Sequence, residues 1–359
     1  MPNLIDIWPL MAFLSAPLAV ISEKRYRSLP AIPSCAINSP LPTLSIIVPA
    51  RNEAANLPHL LSSLEAIDYP GPFELIVVDD NSSDGTSDLA EQAGAKIIHL
   101  DYLPPGWLGK PHACHHGAQA ARGKWLLFTD ADTVHAVDGP ARAVGFAEMQ
   151  RLDGLSAFIK QLPSGYMDRL GLMAAYAGLF FTLQPDQGVL NGQYILIKRT
   201  VYEESGGFGL VASEPIEDVA LGRHLRARGY DIPICRSDDV ATVRMYSDRK
   251  GLWQGLSRLG SGTLSWLGPG AILTALFITG IMVPILAVAS ALRQGQKRIL
   301  SLVVWLSVAL SFIPWARRFG SPWLAPLAPI GALLVQSAGM WGLLGRLSGR
   351  GVRWKDRSV

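Results

Sequence analysis

Short apolar runs alternate with helix-spaced segments through the middle of this chain. Leu44-Ser45-Ile46-Ile47-Val48, Leu75-Ile76-Val77-Val78, Lys96-Ile97-Ile98-His99-Leu100 and Lys124 to Thr129 have the length and near-continuous hydrophobicity of strands buried on both faces. Between them, Glu53 to Ile67 sets Leu57, Leu60, Leu61 and Leu64 on one helical face, and Ser87 to Gly94 and His112 to Ala121 supply further helices. Strand–helix alternation with short connections predicts right-handed crossovers and a largely parallel sheet in an α/β domain. Loops that follow the strands then gather on one edge of the sheet, where ligands of open α/β sheets bind.

The pattern changes toward both ends. Ile7 to Ser22 carries no charge and is followed by Glu23-Lys24-Arg25-Tyr26-Arg27. Without a small-residue cleavage site this reads as a retained anchor, near the lower limit of about 17 residues for a span. The basic residues after it would hold the next segment in the cytoplasm. Pro30 to Pro42 reads as an extended linker. Gly260 to Leu292 is charge-free, and Ala271–Leu292, Ile299–Ala316 and Phe319–Gly345 are predicted spans, since soluble core helices rarely run so long without a charge. The implied division is an anchor at 1–22, a linker at 23–42, a catalytic region at 43–258, membrane segments at 259–345 and a basic tail at 346–359. Three crossings after a cytoplasmic region leave that tail outside, although Arg346, Arg350, Arg353, Lys355 and Arg357 favour the inside. Either one apolar segment is re-entrant or interfacial, or the charge tendency is broken here.

Composition fits this division. The chain has 359 residues, 49% hydrophobic, with a formal net charge of only +3, which argues against nucleic acid as a main partner. Basic residues sit beside apolar segments, as at an anionic membrane surface. Gly260 to Gly345 holds no acidic residue and so no intramembrane ion pair, which disfavours a transporter. Cys35, Cys114 and Cys235 form no C-x-x-C pair, which fits a reducing compartment, and His112-Ala113-Cys114-His115-His116 matches no common zinc spacing.

Candidate chemistry lies in the loops after the strands. Asp130-Ala131-Asp132 ends the strand at Thr129; a turn at Ala131 is needed for both carboxylates to converge on one ion. Hard oxygen donors so spaced suit Mg²⁺ or Mn²⁺ beside a substrate diphosphate. In Pro49-Ala50-Arg51-Asn52-Glu53, backbone donors and Arg51 can meet an anion, while Glu53 can accept from a ribose or orient Arg51. Asp79 and Asp80 exceed what the turn Asn81 to Gly85 requires and can accept from a base or ribose. Lys110, after Gly106-Trp107-Leu108-Gly109, can reach a phosphate, though P-loop spacing is absent. Glu217-Asp218, just before the helix-like Val219 to Arg228, can take a proton from an acceptor hydroxyl, and equally reads as a charged first turn.

Five ordered segments, "LSIIVPARNE", "LIVVDDNSSDGT", "GWLGKPHACHHGAQAARGKWLLFTDADT", "NGQYILIKRTVYEESGGF" and "EPIEDVALGRHLRARGY", resemble a family-2 glycosyltransferase over about residues 43 to 260. The resemblance implies the A-type fold, a mostly parallel nucleotide-binding sheet with flanking helices, here with added transmembrane helices. It implies Pro49, Ala50, Arg51, Glu53, Asp79, Asp80, Lys110 and Asp130 at the donor, Asp132 with Asp130 at the metal, and Asp218 as base supported by Glu217. The "GWLGK" loop and trailing membrane segments are most similar to the hopanoid and carotenoid subgroup. The polysaccharide synthases of the wider family carry Q-x-x-R-W, whereas Gln254-Gly255-Leu256-Ser257-Arg258 is followed here by Leu259.

The expected reaction is transfer from a sugar nucleotide, usually a uridine diphosphate donor in this family, to a hydroxyl of a lipid-soluble acceptor, with inversion and a divalent ion. The expected location is the bacterial cytoplasmic membrane, with the catalytic region facing the cytoplasm. A processive polysaccharide synthase and a non-catalytic membrane scaffold are the alternatives.

Overall fold

The structure, a computed structural model, describes residues 8–34, 40–183, 188–246, 248–267, 272–282, 285, 298–348, 353–354 and 357–358. Its first half runs α1 (Trp8–Ser28), β1 (Leu44–Ala50), α2 (Leu57–Glu65), β2 (Phe73–Asp79), α3 (Thr86–Gln92), β3 (Lys96–His99), α4 (Gly109–Ala120), β4 (Trp125–Thr129), β5 (Thr133–His135), α5 (Gly139–Met149) and β6 (Gly154–Gln161). There follow α6 (Tyr166–Thr182), β7 (Tyr194–Lys198), α7 (Arg199–Ser205), α8 (Glu217–Ala227), β8 (Ile234–Val243) and α9 (Arg249–Leu267). The last helices are α10 (Ile272–Met282), α11 (Arg298–Arg318) and α12 (Ala328–Leu347).

Two compact units emerge. One comprises Leu29–Gln161 and Pro185–Arg244; the other comprises Met1–Ser28, Leu162–Gln184 and Met245–Val359. The first holds an eight-stranded sheet in the order β3-β2-β1-β4-β7-β6-β8-β5. Strands β1 to β4 pair in parallel, as the alternation predicts, and β6 and β8 are also parallel. The sheet is nonetheless mixed, because β7 runs antiparallel to both β4 and β6, and β5 antiparallel to β8. That reversal matters for the site: Thr129, the last residue of β4, faces Tyr194, the first of β7. The residues entering β7 therefore lie beside those leaving β4.

Side chains alternate across the sheet. Ile46, Val48, Trp125 and Leu127 join one core, and Ile47, Leu126 and Phe128 join the other. Burial on both faces is why these strands read as unbroken apolar runs.

Three boundaries differ from the sequence reading. The helix expected from Glu53 begins at Leu57, because Glu53 to Asn56 close a turn in which the amides of Asn56 and Leu57 donate to the Glu53 carbonyl at 2.9 and 2.8 Å. Gly109 and Glu217 open α4 and α8, so Lys110 and Asp218 occupy first helical turns rather than the loops before them. An acid pair in the first turn of α8 complements the positive end of the helix dipole. Of the Pro30 to Pro42 stretch, Pro30 and Ile32 lie against β8, with the Arg236 amide donating to the Pro30 carbonyl at 2.8 Å, whereas the Leu41 amide donates to the Pro70 carbonyl at 2.9 Å.

The second unit is helical. Its helices approach closely at small residues: a Cβ on Gly331 would fall 2.2 Å from the Leu170 carbonyl oxygen, and one on Gly342 1.9 Å from that of Ser257. Ile299–Arg318 and Pro322–Leu347 are long and apolar enough to cross a membrane, by length and composition. Of the predicted span Ala271–Leu292, Ile272–Met282 forms a shorter apolar helix and most of the remainder lies outside the described residues. Ile7, Cys35 and, in the basic tail, Arg350 and Lys355 also lie outside them.

Candidate active site

The turn needed at Ala131 is present. Strand β4 stops at Thr129, and the Thr133 amide donates to the Asp130 carbonyl at 3.1 Å, closing a turn that carries Asp130 and Asp132. Helix α4, the turn after β4 and helix α8 then bring ionisable groups together around the backbone of Gly192. Lys110 Nζ, from the first turn of α4, lies 2.6 Å from Asp130 Oδ1 and 3.4 Å from Glu217 Oε1. It also donates to the Gly192 carbonyl at 3.3 Å. Asp218 Oδ2 accepts from the Gly192 amide at 2.6 Å, and Oδ1 from the Val219 amide at 2.8 Å. Buried charge requires such partners, since an isolated ion out of water is very costly.

Mutual electrostatics set the protonation states. Burial opposes the charge on Lys110, but Asp130 and Glu217 hold its ammonium protonated well above the ordinary lysine range. Asp218 is pushed up to about 6, chiefly by burial and then by the neighbouring Glu217 carboxylate. Lys110 and the two backbone donors keep it from rising further. A carboxylate so placed is mostly ionised at pH 7, yet basic enough to accept a proton.

The expected residues separate into two groups. Lys110, Asp130, Glu217 and Asp218 meet in this cluster, with Asp132 in the same turn as Asp130. The loops after β1 and β2 knit together separately. Arg51 Nη1 donates to the carbonyls of Asp80 and Asn81 at 2.5 and 3.2 Å. Asn52, at φ 50°, accepts from the Ser83 amide at 2.9 Å. The Asp79 carboxylate is engaged inside the loop by Ser87 Oγ at 2.7 Å and the Ser82 amide at 3.3 Å, and Glu53 accepts from Asn56 Nδ2 at 2.8 Å. Pro49 and Ala50 close β1 opposite Val78 and Asp79, and both Asp79 and Asp80 are buried.

Asp130 and Asp132 are a donor set that fits a hard divalent cation. Among the described residues no group of three or more His, Cys, Asp or Glu could hold a metal by itself. Mg²⁺ or Mn²⁺ on one or two carboxylates would therefore complete its shell with diphosphate oxygens and water.

Sequence reading missed the turn that reaches this cluster from β7. Asn191 Nδ2 donates to the Ala157 carbonyl at 2.8 Å, Thr129 Oγ1 to the Gln193 carbonyl at 3.2 Å, and Gln161 Nε2 to Gln193 Oε1 at 2.9 Å. The Asn-Gly pair before an apolar run signals a turn. That the turn abuts Asp218 depends on sheet order, which local pattern does not reveal.

Residues 45–205 match the family model for glycosyl transferase family 2. A relative, 4,4'-diaponeurosporenoate glycosyltransferase of Staphylococcus aureus (strain USA300), is 29% identical over 298 residues, covering 77% of each chain. Among solved structures, a mannosyltransferase from Pyrobaculum calidifontis in complex with GDP-Man and Mn²⁺ superposes with a TM-score of 0.62 at 18% identity, covering 94% of this chain and 99% of that one. The last comparison establishes a shared fold.

Proposed function

We propose that this chain, whose residues 45–205 match the glycosyl transferase family 2 model and whose fold is A-type, moves a sugar from a nucleotide-diphosphate donor to a hydroxyl of a lipid-like acceptor at a membrane surface. The observation that carries the reading is one cluster in which a basic carboxylate, Asp218, adjoins an ammonium, Lys110, which is itself paired with Asp130 of the D-x-D turn.

Asp218 takes the proton of the acceptor hydroxyl as its oxygen forms a bond to the anomeric carbon. The bond from that carbon to the diphosphate oxygen breaks, and the diphosphate departs with the electron pair. Lys110 offsets negative charge near the departing group. Asp130 and Asp132 would hold Mg²⁺ or Mn²⁺, which when bound supplies further charge neutralisation at the diphosphate. Asp79, Asp80, Arg51 and Glu53, with Pro49 and Ala50 at the end of β1, line the nucleotide end. Single displacement gives inversion at the anomeric carbon.

Residues 1–22 act as the anchor, 43–258 as the catalytic region and 259–345 as the membrane segments in this reading. The exposed Ile299, Leu302, Leu310, Trp341 and Leu347 on the long apolar helices favour a lipid environment over water. Tethering near the surface where a lipid acceptor dissolves raises the encounter frequency. The catalytic region then faces the cytoplasm of a bacterial cell, where sugar nucleotides are made.

The Staphylococcus relative supports an apolar acceptor and raises a second reading, because its name denotes a carboxylate substrate. A carboxylate arrives already deprotonated and would not need Asp218. Mass spectrometry of lipids from a host lacking this gene, before and after its expression, tests the proposal. A hexose-mass increment on an apolar lipid supports it. A polymer ladder favours the synthase, and an unchanged lipid profile with donor supplied refutes the transfer.

A further inference from the structure

The turn Asn191-Gly192-Gln193 carries no chemistry of its own, yet one of its residues touches both charged partners at the centre of the site. We infer that Gly192 is the positioning residue for the base, an inference that rests on Asp218 serving as that base. The Gly192 amide donates to Asp218 Oδ2 at 2.6 Å, and its carbonyl accepts from Lys110 Nζ at 3.3 Å. This single residue thus fixes the carboxylate and the ammonium relative to each other.

Both sides of the turn are anchored in the sheet. The Asn191 amide donates to Ser156 Oγ at 2.7 Å, and its side chain to the Ala157 carbonyl at 2.8 Å, both on β6. Gln193 is held by Thr129, the last residue of β4, and by Gln161, the last of β6. The geometry of the base is therefore referenced to the strand end that carries Asp130.

Glycine is required here for space rather than for conformation. Gly192 is not among the residues with positive φ, so an alanine is allowed by the backbone. Its Cβ, however, would lie 3.0 Å from Asp218 Oδ2, 3.0 Å from Lys110 Nζ and 3.4 Å from Asp218 Cβ. The atoms it displaces are the two charged groups, at the ends of side chains that can yield. A methyl group at 192 is accommodated by moving them and not the fold. Gly222 provides the contrast: a Cβ there would fall 2.0 Å from the Gly188 carbonyl oxygen, a backbone atom that cannot yield cheaply.

The test compares Gly192→Ala, Asn191→Ala, Gly222→Ala and Asp218→Asn in the full-length, detergent-solubilised protein. Thermal unfolding with and without sugar nucleotide is measured, together with kcat, donor KM and the pH profile of lipid glycosylation. Gly192→Ala is expected to keep its unfolding temperature and donor protection while kcat falls about tenfold or more, as for a small misplacement of a reacting group. Its acid limb should move to higher pH, because weakening a donor to the charged carboxylate favours the protonated form. Asn191→Ala, which alters the anchor without crowding the site, should move the acid limb the same way. Within an Asp218→Asn background, Gly192→Ala should cause no further loss. Normal turnover with an unmoved acid limb in both Gly192→Ala and Asn191→Ala overturns the inference. So does a Gly192→Ala protein that unfolds as readily as Gly222→Ala while Asn191→Ala leaves the acid limb in place. Full activity in Asp218→Asn would instead remove the base on which the inference rests.

Discussion

Replacing Lys110 by methionine tests the electrostatic logic of the site, because the thioether stem retains much of the volume and only the ammonium is lost. Asp218 stands at about 6 with Lys110 present, and Lys110 is among the groups that hold it down. Removing an opposite charge in this range raises a carboxyl pKa by roughly 1–2 units. At pH 7 the ionised fraction of Asp218, the proposed base, then falls from about nine-tenths to between one-half and one-tenth. Protonation alone should therefore cost about two- to tenfold in kcat/KM at pH 7 and be recovered by about pH 9. A loss that persists at high pH would measure the charge that the proposed mechanism assigns to Lys110 at the diphosphate. Glu217 and Asp130 would also lose their ammonium partner, so stability should drop by about 1–3 kcal/mol, discounted because the Lys110 and Asp130 side chains are each 27% exposed. The assay is kcat/KM for labelled sugar nucleotide between about pH 5.5 and 9.5, with acceptor-linked product counted and unfolding temperature recorded alongside. An acid limb that stays in place, or moves to lower pH, refutes the reasoning.

Other outcomes follow from the same geometry. Asp132→Asn should lose lipid glycosylation and its response to added Mn²⁺ while remaining folded; near-normal turnover in the folded variant would exclude Asp132 from the proposed metal site. Burial pushes His135 down to about 4 from an ordinary 6.5, so the unfolded chain binds a proton between those values that the folded chain does not. Stability should fall as pH drops through that window, by up to ~3 kcal/mol; urea unfolding of His135→Asn should show a flatter pH dependence, and an unchanged slope would contradict it. Phe128→Ala, which empties a site 2% exposed in the core beneath the sheet, should cost about 3–5 kcal/mol in denaturant unfolding, whereas a loss below about 1 kcal/mol would mean the strand is not buried on both faces.

The parallel half of the sheet was legible because β1, β2 and β4 are covered on both faces, which forces the apolar runs that reveal them. A turn at Ala131, which the two alternating carboxylates would need in order to converge, is closed by the Thr133 amide on the Asp130 carbonyl. The mixed part of the sheet was not legible. Tyr194-Ile195-Leu196-Ile197 is as apolar as β4, but nothing in its local pattern states that it runs against both neighbours. That direction brings Gly192 to Asp218, 26 residues apart, and lets the Asn-Gly turn serve the site. The start of α8 at Glu217 matches the charged first turn that the sequence offered as one reading of Glu217-Asp218, whereas α4 starts at Gly109, three residues before the expected His112. The D-x-D turn, Lys110 and the acid pair were each visible in the sequence. Their meeting is a property of sheet order.

The most direct measurement mixes solubilised wild-type and Asp218→Asn protein with an α-linked sugar nucleotide, Mn²⁺ and an apolar hydroxyl lipid, then reads the glycosidic linkage of the product by NMR. The account predicts a β-linked lipid glycoside from the wild type and none from Asp218→Asn, although both proteins are stabilised equally by the donor. An α-linked product, or equal yield from the variant, would contradict it.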